Sequence, residues 1–86
     1  MSYWVYILRC ADGTLYTGTA ADVDKRAEAH NSGKGAKYTR GRGPVTVVYR
    51  EETEEKGAAL RREAQIKKLS REQKLKLIDE NKIPRP

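Results

Sequence analysis

Residues 3–20 decide the fold: Tyr3-Trp4-Val5-Tyr6-Ile7-Leu8-Arg9-Cys10, then Ala11-Asp12-Gly13, then Thr14-Leu15-Tyr16-Thr17-Gly18-Thr19-Ala20. The first eight are rich in aromatic and β-branched side chains and read as a buried strand. Ala11-Asp12-Gly13 is a turn, and residues 15–19 read as a second strand that completes a hairpin. The loop length fixes the consequence. A two-residue turn would put Tyr6 and Tyr16 on opposite faces. A three-residue loop with Gly13 left-handed pairs Cys10 with Thr14, Leu8 with Tyr16 and Tyr6 with Gly18. Both tyrosines then share one face, with open space at Gly18 beside the Tyr6 ring. The reading adopted is the three-residue loop.

Outward from this hairpin, the elements alternate. Asp22 is placed to cap a helix over residues 23–31, with Gly33 just past its end. Residues 33–43 hold too many glycines for helix or strand, and at eleven residues the loop is long for a compact domain. Pro44 closes it, and residues 45–50 form a third strand. Thr53 is expected to cap a helix reaching Leu69, and Ser70 with Gln73 makes a capping box for a last helix to Glu80. The expected order is β-β-α-β-α-α, an α+β domain over residues 1–82 with a loose tail at 83–86.

Composition bounds what such a domain can do. With 86 residues there is room for one domain, and a chain this short buries only roughly 60–65 % of its unfolded surface. Leu, Ile and Val total 15 and Phe is absent, so the five Tyr and one Trp must supply bulk. Lys and Arg number 18 against 12 acidic residues, a net charge of +6 and a pI near 9.6. That excess suits a polyanionic partner, nucleic acid or an acidic membrane surface. One cysteine excludes an internal disulfide, and one Cys with one His cannot build a Cys/His zinc site. Cys10 ends an apolar run and reads as core rather than nucleophile. No secretory signal or membrane-length apolar run occurs, which by default places the chain in the cytoplasm.

Three sets of residues resist a purely structural account. On the long helix, Ala59, Leu60, Glu63, Ile66 and Lys67 share one stripe, with Glu63 amid the apolar members. A carboxylate there is costly unless compensated, either by an ion pair to Lys67 or Arg26 or by a divalent cation. On the first helix, Arg26 and His30 are four residues apart and project together. Arg can hold a phosphate bidentately and His can move a proton near neutral pH. The glycine-rich loop carries Lys34, Lys37, Arg40 and Arg42 with Tyr38 and no acidic residue. This mixture suits tracking of a nucleic-acid backbone, with an aromatic to stack on a base.

Taken in order, these residues resemble a known family. Val5-Tyr6-Ile7 followed by Tyr16-Thr17-Gly18 resembles the paired motif of the GIY-YIG nucleases. Tyr6, Tyr16, Arg26 and Glu63 follow in that family's order and approximate spacing, with His30 where it carries His or Tyr. The likeness spans about residues 3–78 and is nearest to small single-domain bacterial members, which share Ser32-Gly33-Lys34-Gly35-Ala36-Lys37. The chain departs at Val5 and Ile7 of the first motif, at Thr17, at Thr19 where some members carry Lys, and at Leu75, roughly where many carry Asn.

The resemblance implies a three-stranded antiparallel sheet flanked by helices. It also implies DNA phosphodiester cleavage with one Mg²⁺ or Mn²⁺ ion, weakly held in the absence of substrate. On this reading Glu63 is the metal ligand and Arg26 offsets transition-state charge. Tyr16 handles the attacking water, with His30 the alternative base, and Tyr6 orients either one. Substrate choice is expected to follow nucleic-acid structure or strandedness rather than sequence. The competing readings are a non-catalytic nucleic-acid-binding module, which the missing Asn favours, and a protein-interaction domain.

Overall fold

In the computed structural model, which describes residues 2–34, 41 and 43–80, the elements follow the expected β-β-α-β-α-α order. They are β1 (Tyr3–Arg9), β2 (Leu15–Ala20), α1 (Val23–Asn31), β3 (Thr46–Thr53), α2 (Lys56–Lys67) and α3 (Arg71–Glu80). The tail at 83–86 lies outside the described residues.

The strands form one antiparallel sheet in the order β2-β1-β3. The central place of β1 explains its unbroken apolar run. Val5, Tyr6, Ile7 and Leu8 are all buried because both faces of the strand are covered. On one face Val5 and Ile7 pack with Tyr49, with Ala59 and Ile66 of α2 and with Ile78 of α3. On the other, Tyr6, Leu8 and Cys10 pack with Ala20, with Val23 of α1 and with Val45. The domain is therefore a three-layer sandwich, with α1 on one side of the sheet and α2 with α3 on the other.

The hairpin adopts the three-residue loop. Cys10 N–H donates to the Thr14 carbonyl at 2.8 Å, and Gly13, at φ 87°, donates to the Cys10 carbonyl at 2.9 Å. A left-handed backbone is what glycine permits and a side chain resists. The register follows: Leu8 faces Tyr16 and Tyr6 faces Gly18.

Helix ends are set by local chemistry. The Asp22 carboxylate accepts from Lys25 N–H at 3.0 Å, as expected of the cap. Ser70 and Gln73 exchange reciprocal hydrogen bonds at 2.9 and 3.1 Å, completing the capping box. Thr53 departs from expectation. Its hydroxyl donates to the Tyr3 carbonyl at 2.8 Å, so it ends β3 rather than starting a helix. The cap of α2 is Glu55, whose side chain makes no capping bond, and α2 stops at Lys67 rather than Leu69. β3 also runs past the expected Arg50, because ladder pairing of residues 51–53 with Tyr3–Val5 holds a stretch that burial would not.

A β-bulge lies opposite Ile7 and Leu8. Ile7 pairs with Tyr49 and Leu8 with Val47, so Val48 is the extra residue. The bulge turns Val48 and Tyr49 toward the same α2/α3 layer, which simple alternation would forbid.

Candidate active site

The site is built from the hairpin outward. Tyr6 and Tyr16 lie on the α1 face of the sheet, their ring centroids 6.5 Å apart. Gly18 lies beneath them. A Cβ placed there would come within 2.6 Å of the Tyr6 hydroxyl oxygen and 3.2 Å of a Tyr16 ring carbon. The space expected beside the Tyr6 ring is thus filled by that ring, and only glycine leaves room for it.

α1 delivers the next residue. His30 is buried, with 4 % of its surface exposed, and its Nε2 lies 3.3 Å from the Tyr6 hydroxyl. Its ring stands 5.2 Å from the Tyr16 ring and 6.3 Å from the Tyr6 ring, between centroids. Tyr6, Tyr16 and His30 form one aromatic cluster. Arg26, one turn earlier on the same face of α1, is exposed, and its charge acts on both Tyr6 and His30.

The electrostatics separate the roles of the three rings. Burial foremost, then the neighbouring Tyr16 and Glu63, push Tyr6 up to about 12, against a smaller opposing pull from Arg26. Tyr6 is therefore a neutral phenol, a hydrogen-bond donor and a poor base. Burial and the Arg26 charge together lower the pKa of His30, so its imidazole is neutral at pH 7. The Tyr6 hydroxyl and His30 Nε2, 3.3 Å apart, can share a hydrogen bond in either direction, set by the imidazole tautomer.

Glu63 arrives from the other layer. Ala59 and Ile66 anchor α2 against the sheet, both fully buried, and Glu63 lies between them with its side chain 18 % exposed. The expected apolar stripe is narrower than its periodicity indicated, because Leu60 is 45 % exposed. Of the two internal pairings considered, the one formed is with Lys67, whose Nζ is 3.3 Å from Glu63 Oε2. α2 packs beside both β1 and the edge strand β2, and from there the carboxylate raises the Tyr6 pKa. Among the described residues no group of three or more His, Cys, Asp or Glu is gathered to hold a metal. Among the described residues Glu63 is the one carboxylate that acts on Tyr6.

Of the basic loop, Lys34 is exposed just beyond α1. Lys37, Tyr38, Arg40 and Arg42 lie outside the described residues. Both ends of that loop are tied by one residue the sequence did not single out. Asn31 accepts from the Val45 N–H at 2.6 Å and donates to the Val45 carbonyl at 3.2 Å. The pairing joins the last turn of α1 to the approach of β3, and nothing local in the sequence signals it. A second unforeseen network locks α2 in place. Arg62 Nε reaches both Glu51 oxygens at 3.2 and 3.1 Å, and the Tyr49 hydroxyl donates to Glu51 at 2.5 Å.

A hairpin bearing two tyrosines, a helix with Arg and His and a second helix with one glutamate form the candidate site of a small α+β domain. The family model of the GIY-YIG catalytic domain matches residues 2–76, and the chain belongs to that family. It is 56 % identical over 79 residues to UPF0213 proteins of Staphylococcus aureus strains Mu50 and N315, covering 92 % of this chain and 96 % of each relative. Solved structures agree. The solution NMR structure of a UPF0213 protein from Bacillus halodurans matches with a TM-score of 0.63 and 49 % identity, covering 98 % of this chain and 89 % of that one. That of a protein from E. faecalis matches with a TM-score of 0.62 and 34 % identity, covering 100 % and 93 %.

Proposed function

We propose that this chain is a divalent-metal-dependent endonuclease that hydrolyses DNA phosphodiester bonds, selecting nucleic-acid structure or strandedness rather than sequence. The observation that carries this is the convergence on one hydroxyl. Tyr6 of β1 is acted on at once by Tyr16, Arg26, His30 and Glu63, which come from one further strand and two helices. Structural packing alone has no need to place a guanidinium and a carboxylate within electrostatic reach of a buried cluster of two phenols and an imidazole.

The roles follow from burial and charge. Tyr16 is half-buried while Tyr6 is 1 % exposed, so Tyr16 is the phenol that meets the attacking water. Tyr6 supports it, held over Gly18 and between Arg26 and His30. The neutral His30 is the alternative proton acceptor, reached through the Tyr6 hydroxyl or directly from its contact with the Tyr16 ring. Arg26 has an exposed cation beside the cluster and suits the charge that builds on a phosphoryl group. Lys34 and the loop residues Lys37, Tyr38, Arg40 and Arg42 would carry the nucleic-acid backbone.

Glu63 fits a single-ligand place for Mg²⁺ or Mn²⁺. It is a hard oxygen donor, mostly enclosed, and it already draws a cation, Lys67. Water and substrate oxygens would have to complete the shell. When bound, the ion supplies Lewis-acid polarisation of the phosphoryl oxygen and charge relief at the leaving oxygen.

The departure at Leu75 weighs less against catalysis than it did in the sequence. Leu75 lies on α3 beside Arg9 and Leu15 in the α2/α3 layer, away from the tyrosine face. An Asn at that place would not meet Tyr6 or Tyr16.

The test is a panel of labelled single-strand, duplex, flap and junction DNA and RNA with Mg²⁺ or Mn²⁺, including Glu63→Ala and Tyr16→Phe. Cleavage by the wild type that both variants lose is the expected result. Cleavage that both retain would sink the mechanism. Salt-sensitive binding without any cleavage would select the non-catalytic module.

A further inference from the structure

On the side of the sheet opposite the tyrosines, α3 and the β1–β2 hairpin enclose an open groove of about 530 Å³. Its floor is apolar: Leu15, Val48, Leu75 and Ile78. Leu75 is 45 % exposed, and Val48 faces this way only because of the bulge in β3. The rim is cationic. Arg9, Arg71 and Lys76 line the groove, and Lys74 lines a recess that continues from it past Leu15 and Arg71. Among the described residues Asp79 is the one acidic group on this rim. Among the described residues none of these four cations is paired with a carboxylate, although four other cations of the chain are.

From this groove we infer a docking site for an acidic segment of a partner protein that carries leucine-like side chains. An apolar floor excludes a purely electrostatic ligand, since burial of Leu15, Val48 and Leu75 rewards only apolar contact. Four unpaired cations against one carboxylate demand a partner of negative charge. Nucleic acid fits less well. Among the described residues no aromatic side chain lines the groove to stack on a base. The site also lies on the sheet face away from the tyrosine cluster, so a strand held there would not pass through it. The volume suits two or three side chains of a bound peptide, within the range of about 300–1,000 Å³ of ordinary binding clefts. The inference does not depend on the nuclease reading, because no residue of the groove belongs to the tyrosine site.

The experiment is an amide chemical-shift titration of the ¹⁵N-labelled full chain with three probes. They are a peptide of Glu, Asp and Leu, the same peptide with Ser for Leu, and a single-stranded oligonucleotide of equal charge. The expected result is perturbation of Leu15, Val48, Leu75 and Lys76 by the leucine peptide, with binding about tenfold weaker for the serine peptide. Leu75→Glu, at an exposed helix position, should weaken the leucine peptide about tenfold or more. It should leave the rest of the spectrum in place, and Leu75→Met should retain binding. Equal binding of the leucine and serine peptides would overturn the inference. So would stronger perturbation of the same amides by the oligonucleotide, or no perturbation by any probe.

Discussion

The hydroxyl of Tyr6 occupies the place that a side chain at position 18 would need. A Cβ on Gly18 would lie 2.6 Å from the Tyr6 hydroxyl oxygen and 2.8 Å from its Cζ. The glycine of the second motif and the tyrosine of the first are thus a single packing unit, joined across the hairpin by direct pairing.

Gly18→Ala should therefore act on the site rather than on the backbone, since Gly18 is not among the glycines with positive φ. Tyr6 is fully enclosed and cannot withdraw without disturbing His30. Overpacking of this kind costs about 1–3 kcal/mol, to be read from urea unfolding, with loss of any nuclease activity. Removing the colliding oxygen in the double variant Gly18→Ala, Tyr6→Phe should return part of the stability but none of the activity. An alanine variant as stable as the wild type would show that the ring moves freely.

Tyr6 also predicts an alkaline limit to stability. Its pKa is raised in the fold to about 12, from 10 in the unfolded chain. A raised pKa means the folded state holds its proton more tightly. The associated stability is complete below pH 10 and is lost as pH climbs through 12. Two units correspond to on the order of 2–3 kcal/mol. Unfolding free energies at several pH values between 9 and 12 should fall more steeply for the wild type than for Tyr6→Phe. Parallel curves would show that Tyr6 ionises as easily in the fold as outside it.

His30 gives the opposite sign. It is the one histidine of the chain, so its proton titration is readily isolated by NMR. Burial first and Arg26 second hold its pKa below 6.5. The stability it contributes is present above 6.5 and lost as pH falls through the folded value. Arg26→Met removes the neighbouring cation and should move the midpoint upward while leaving it below 6.5, because burial remains. An unchanged midpoint would mean that Arg26 does not reach the cluster.

Much of this arrangement was legible because it is local. Gly13 announces a left-handed turn, that turn fixes the register, and the register puts both tyrosines on one face. Asp22, Ser70 and Gln73 are caps whose partners lie within four residues. What escaped the sequence depends on contacts far along the chain. Thr53 looks like the cap of a helix, but its hydroxyl meets the carbonyl of Tyr3, fifty residues away. Leu60 fits the helical period of Ala59 and Ile66, yet periodicity does not state how wide a face the sheet will cover. Asn31 looks like a helix-end residue and is in fact the brace of the basic loop. The bulge at Val48 leaves no trace in alternation, and without it the groove beneath α3 would lack part of its apolar floor.

Lys67 supplies the last test, because it competes for the group the metal would need. Its ammonium lies 3.3 Å from Glu63 on the next turn of α2, and it is more than half exposed. Pairs at this spacing on a partly solvated helix are worth about 0.3–0.5 kcal/mol, so a divalent ion can displace the lysine at small cost. Lys67→Met should therefore lower the Mg²⁺ or Mn²⁺ concentration at half-maximal cleavage by about twofold, the equivalent of that energy. The maximal rate should stay near that of the wild type, since Lys67 touches none of the tyrosine cluster. A large fall in maximal rate would instead place Lys67 on the substrate phosphate, and no shift at all would mean that the ion binds away from Glu63.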